Sequence, residues 1–115
     1  MIKYQIIITQ RALSDISECV LFVNNVSKDA GKKLYQEIIS KIYSLENYPN
    51  SFPEIDGLTI GGSKIRRMPI YSGRYLILYK VESNTVVIYD IIDSRRDNSI
   101  LKIWIWYRSI IKSQI

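Results

Sequence analysis

Two apolar runs, "YLILYKV" at residues 75–81 and "TVVIYDII" at 85–92, are separated only by a short polar connection that includes Ser83 and Asn84. Short runs rich in β-branched and aromatic residues, joined this tightly, predict an antiparallel hairpin. Both are apolar at nearly every position, not at every second one. Strands of that kind are covered on much of both faces, so the pair belongs at the centre of a sheet. The covering layer is written upstream. Leu13, Ile16, Val20 and Val23 recur at spacings of three and four and predict a helix opening near Thr9 or Gln10 and stopping at Asn24-Asn25. Ser27 is the predicted N-cap of a second helix with Asp29 in its first turn. Its stripe is Leu34, Ile38, Ile42 and Leu45, widened by Tyr35, Ile39 and Tyr43, and Pro49 is expected to end it.

The remaining elements follow from period and punctuation. Residues 2–9, "IKYQIIIT", read as a first strand, not a signal peptide, because no small-residue cleavage site follows. Residues 49–63 hold two prolines and three glycines and are expected to form a loop. "KIRRMPI", 64–70, is a further strand. In the tail, Ile100, Ile103, Trp104, Tyr107 and Ile111 share a helical stripe, with "KIWIWY" as an alternative strand. The expectation is one α+β domain over residues 1–115: an N-terminal strand, an α-helical hairpin packed on a twisted, mainly antiparallel sheet of about four strands, and a C-terminal helix.

Composition narrows the chemistry. There is no histidine and one cysteine among 115 residues, so the commonest general base and the commonest zinc ligands are missing. Neither a metal nor another cofactor is expected. Cys19 excludes an internal disulfide and fits a reducing, cytoplasmic setting. It lies near the first helical stripe and reads as a small core residue. Charges interrupt every apolar run before the roughly 18 residues that a membrane helix needs. Gly61-Gly62-Ser63 reads as a turn, and the acid pairs Glu54/Asp56 and Asp90/Asp93 as solvated surface.

The net charge of +5 is uneven. Residues 1–50 carry 6 basic and 5 acidic side chains, and residues 51–115 carry 10 and 6. Lys64, Arg66, Arg67 and Arg74 occur with no acid between them. An acidic partner is implied. Together with Arg95, Arg96, Tyr71, Tyr75, Tyr79 and Lys80 these residues admit two chemistries. Arginines stabilise a pentavalent phosphate while a tyrosinate or lysine takes a hydroxyl proton. Alternatively, the guanidinium forks hold carboxylate or phosphate and no reaction follows.

The stretch "IRRMPIYSGRYLILYKVESNTVVIYDIIDSRRD", with the helical hairpin ahead of it, resembles the signature of the RelE/ParE superfamily, the toxins of type II toxin–antitoxin modules. The likeness spans roughly residues 2–97. RelE-like members are ribosome-dependent messenger RNA endonucleases with an arginine directly after the first tyrosine of this strand. Here Leu76 holds that place, Asp93 stands at the usual histidine position, and Ile100 where a tyrosine is expected. The resemblance therefore implies a ParE-like toxin, of the plasmid-stabilisation type, that inhibits DNA gyrase by binding. It also implies a cognate antitoxin with an acidic-apolar tail, held by Lys64, Arg66, Arg67, Arg74, Arg95, Arg96, Trp104 and Trp106. The alternative is a RelE-like nuclease acting on ribosome and mRNA, with Arg66, Arg74, Tyr79 and Arg95 as its catalytic set. A second alternative is an antitoxin-binding member without toxicity. A homodimer and a toxin–antitoxin hetero-oligomer are both compatible with the family.

Overall fold

A computed structural model of the chain describes residues 3–95. Strand β1 (Gln5–Ile8) leads into helices α1 (Gln10–Val26) and α2 (Lys28–Ser44). Strands β2 (Glu54–Ile60), β3 (Ser63–Ile70), β4 (Tyr75–Glu82) and β5 (Thr85–Asp93) follow. The sheet has five strands in the order β1-β5-β4-β3-β2, parallel only between β1 and β5. The α+β class, the helical hairpin and the hairpin of apolar strands are as the sequence predicts, and that strand pair is interior to the sheet. The expected C-terminal helix, with Arg96, Trp104 and Trp106, lies outside the described residues. Among the described residues, no helix is long and apolar enough to cross a membrane.

Local chemistry explains where the helices start. The Thr9 hydroxyl oxygen accepts from the Ala12 N–H at 3.1 Å and its O–H donates to the Tyr89 carbonyl at 3.2 Å, so one side chain caps α1 and ties it to β5. Ser27 is extended and caps α2 by accepting from the Ala30 N–H. The β4–β5 pairing shifts register between Leu78 and Tyr79, which leaves Tyr89 as the extra residue of a bulge. Asp15 of α1 accepts from the Ile91 N–H beside it, at 3.2 Å.

Both helices lie on one face of the sheet. Ile16, Val23, Leu34, Ile38, Ile42 and Leu45 meet Met68, Ile70, Ile77, Tyr79, Val86 and Ile88 in the main core. Each such side chain contributes about 1.5–3 kcal/mol by leaving water. A smaller cluster of Leu58, Ile60, Ile65, Leu78 and Tyr89 forms a second apolar layer, so β4 is covered on both faces.

Several expectations are corrected. The loop expected over 49–63 contains β2, which pairs with β3. The first helix's stripe rotates: Ala12 is buried while Leu13 is 45% exposed. Tyr35 and Tyr43 face outward and do not widen the α2 core. Helix α2 stops at Ser44, before Pro49, because residues 45–48 turn, with the Tyr48 N–H donating to the Ser44 carbonyl. Asp90 is buried at the bulge, where its Oδ1 accepts the Ile91 N–H, and is not solvated surface.

Candidate functional site

The basic residues divide into two groups, each built around a carboxylate. At the β2–β3 pair, Glu54 lies 3.8 Å from Lys64 Nζ and 3.6 Å from Arg66 Nη2. Arg66 also donates through Nη1 to the Phe52 carbonyl at 2.7 Å and the Asn50 carbonyl at 3.4 Å. It therefore fastens the segment ahead of β2 to the sheet. Opposite Arg66 in register is Tyr79, whose hydroxyl donates to the Pro49 carbonyl at 2.8 Å. Burial pushes the Tyr79 phenol up to about 12, with Arg66 pulling the other way. A phenol so buried and already donating is a poor base at neutral pH. Arg67 is next in sequence and points to the opposite, exposed side of the sheet, as strand alternation requires.

The second group sits at the other end of β3. Residues 70–75 turn the chain, with Tyr71, Ser72 and Gly73 all left-handed at φ 53°, 54° and 84°. Left-handed backbone costs about 1–2 kcal/mol for a residue with a Cβ. Two interactions hold it: Glu37 Oε2 of α2 accepts the Tyr71 N–H at 3.0 Å, and Tyr71 stacks on Tyr75 with ring centroids 5.9 Å apart. Ser94 closes the turn from the other side, its N–H donating to the Arg74 carbonyl and its hydroxyl to the Gly73 carbonyl.

Arg74 rises from this turn. Its guanidinium carbon is 5.7 Å from the Phe22 ring centroid and 5.7 Å from that of Tyr75. Its Nε is buried and has no acceptor among the described residues. Asp93, across from Tyr75, is gripped by Arg95: Nε donates to Oδ1 at 2.9 Å, Nη2 to Oδ2 at 2.6 Å, and the Arg95 N–H to Oδ1 at 2.9 Å. Those hydrogen bonds, with Arg74 adding its charge, hold the Asp93 carboxyl well below the usual carboxylate range.

The basic residues that the sequence sets together as one partner-binding set thus fall at two loci. Four strand positions separate Arg66 from Ile70 at the turn, about 13 Å of strand. Arg74 and Arg95 are brought together, Lys64 and Arg66 are brought together, and Arg67 stands apart on the far face. Two features escaped the sequence reading. One is the pair of aromatic rings on Arg74, because Phe22 lies in a different element. The other is an open groove of about 610 Å³ on the helical hairpin, lined by Ile16, Val20, Leu21, Asn24 and Tyr35. Among the described residues no group of three carboxylate or thiol side chains is placed to hold a metal.

Cys19 lies near this end as well. Burial, and then Asp15, Glu18 and Asp93, push its thiol up to about 11. Alkylation by iodoacetamide near neutral pH is expected to run about a hundredfold slower in the folded chain than in urea, since two units of pKa remove that much thiolate. Similar rates in the two states would contradict the burial.

A family model described as the ParE toxin of type II toxin–antitoxin system, parDE, matches residues 6–98. Comparison with curated proteins finds no match. Among solved structures, a chain of the chromosomal ParDE TA system from P. aeruginosa superposes with a TM-score of 0.63 at 15% identity, covering 79% of this chain and 96% of that one. At that identity the likeness concerns the fold.

Proposed function

The chain belongs to the ParE toxin family of type II toxin–antitoxin systems, and from that premise we propose that it is a cytoplasmic toxin that inhibits DNA gyrase by binding and is neutralised by a cognate antitoxin. The observation that carries this reading is the engagement of the groups a nuclease would need. Tyr79 is buried and donates to Pro49, Arg66 is spent on backbone carbonyls and Glu54, and Arg95 is closed on Asp93. Among the described residues, Arg74 alone of that set has no hydrogen-bonded partner, and one guanidinium without a base binds but does not turn over.

The antitoxin is expected to carry an acidic-apolar tail: carboxylates for the arginines, and apolar side chains for the groove that Val20, Leu21 and Tyr35 line on the hairpin. Of the described residues expected to meet it, Arg67 and Arg74 carry no ion pair there, whereas Lys64, Arg66 and Arg95 would exchange Glu54 and Asp93 for its carboxylates. Arg96, Trp104 and Trp106 remain part of the proposal from the sequence alone.

A supercoiling assay with purified gyrase tests the target. Excess protein is expected to suppress supercoiling and added antitoxin to restore it. Unchanged supercoiling, together with codon-specific cleavage of ribosome-bound mRNA that Arg74→Ala abolishes, would transfer the assignment to the nuclease branch.

A further inference from the structure

We propose that Arg74, set against the Phe22 and Tyr75 rings beside the left-handed turn, is a receptor for a carboxylate on an acidic, apolar-flanked peptide segment. The proposal deepens the antitoxin reading and rests on it for the identity of the partner, while its chemistry stands on the geometry alone.

The guanidinium is pre-organised. Two aromatic rings have their centroids 5.7 Å from its guanidinium carbon, and contact with both restricts its freedom before a ligand arrives. Its Nε is buried without an acceptor, a cost of about 1–3 kcal/mol in a folded protein. No hydrogen bond or ion pair within the described residues satisfies its terminal amines, whose donors are therefore available to a ligand there. Neither neighbouring carboxylate hydrogen-bonds it: Asp93 is gripped by Arg95, and Glu37 accepts the Tyr71 N–H. The turn that presents it is strained at two non-glycine residues, and strain of that kind collects at functional sites.

The surroundings select the ligand. Phe22 is 54% exposed, so a docked carboxylate meets an apolar wall beside its charge. A nucleic-acid backbone needs a row of cations. Here Asp93 and Glu37 offset Arg74 and Arg95, and the other basic group, Lys64 and Arg66, lies back along β3 and is itself built around Glu54. One carboxylate with apolar neighbours fits the site; a string of phosphates does not.

The test uses the full-length chain, labelled with nitrogen-15, and follows the arginine Nε–Hε resonances. The probes are a blocked peptide alternating leucine and glutamate, its glutamine counterpart, and a single-stranded oligodeoxynucleotide. The glutamate peptide is expected to shift the Arg74 resonance saturably, and the glutamine peptide to bind roughly tenfold more weakly, the loss of a charge-assisted hydrogen bond. Arg74→Lys, which keeps the charge and loses the planar guanidinium fork, and Phe22→Ala at an exposed position are each expected to weaken binding of the glutamate peptide. Equal binding of the two peptides, an unmoved Arg74 resonance, or tighter binding of the oligonucleotide would overturn the proposal. Neither gyrase nor antitoxin is present, so failure here and failure in the supercoiling assay are separate results.

Discussion

Tyr79→Ala is expected to cost about 4–6 kcal/mol of folding free energy, a large aromatic-to-alanine loss plus the penalty for a stranded carbonyl. Tyr79 is fully buried at the centre of the main core, where it packs with Met68, Ile77 and Val86. Truncation leaves a cavity that close-packed neighbours fill only in part. It also strips the Pro49 carbonyl of its donor and removes the ring from beside Arg66. Most domains are stable by only about 5–15 kcal/mol, so the variant is expected to be largely unfolded at moderate urea. Tyr79→Phe separates the two contributions. It keeps the volume and loses only the hydrogen bond, for about 1–3 kcal/mol. A Tyr79→Ala loss no larger than that of Tyr79→Phe would refute the packing account. The pH dependence carries the same signature. The phenol's folded pKa is raised, so its contribution is fully present below the ordinary value of 10.0 and is lost as pH climbs towards about 12. Tyr79→Phe is expected to remove that alkaline decline.

What was legible in the sequence, and what was not, follows from how local each determinant is. The second helix reads directly, because Ser27 caps it and Leu34, Ile38, Ile42 and Leu45 repeat at helical spacing. The β4–β5 hairpin reads as well, since its connection is two residues long. Strand β2 does not, and the reason is its irregular register. Gly57 is left-handed at φ 77° and the pairing shifts between Glu54 and Thr59, so Ile55 falls out of step with the alternation of Leu58 and Ile60. Ala12 takes the core place expected for Leu13 because the face of α1 turned to the sheet runs through Ala12, Ile16 and Val23, one position round from Leu13.

The site divides the same way. That arginines matter near residue 70 is visible as charge density. Which of them are structural is not, because Arg66 finds its partners in Asn50 and Phe52, 16 and 14 residues earlier, and Arg74 finds a ring in Phe22 on α1. Such partners are set by tertiary geometry, and no spacing rule along one element encodes them.

Gly31→Ala illustrates the point, and is expected to destabilise despite the gain in helix propensity. An alanine in place of a helical glycine gives back about 1 kcal/mol. Against that, a Cβ at position 31 would stand 2.7 Å from Asn24 Cβ, 2.9 Å from Asn24 Cα and 2.9 Å from Asn24 Oδ1. The oxygen swings away by rotation of a side chain; the Cα is backbone and moves only with α1. The two helices must separate where α1 ends and α2 begins, and overpacking of this kind costs about 1–3 kcal/mol or occasionally more. The net expectation is a loss of about 1–2 kcal/mol for Gly31→Ala and a larger one for Gly31→Val, whose branched side chain has fewer rotamers to escape with. A double-mutant cycle locates the cause. Asn24→Ala retains the Cβ and is expected to rescue little. Asn24→Gly removes both the Cβ and the oxygen, and is expected to recover part of the loss; the clash with the α1 backbone at position 24 persists and accounts for the remainder. Additive losses in the Asn24→Gly cycle would mean that the helices do not meet at this point.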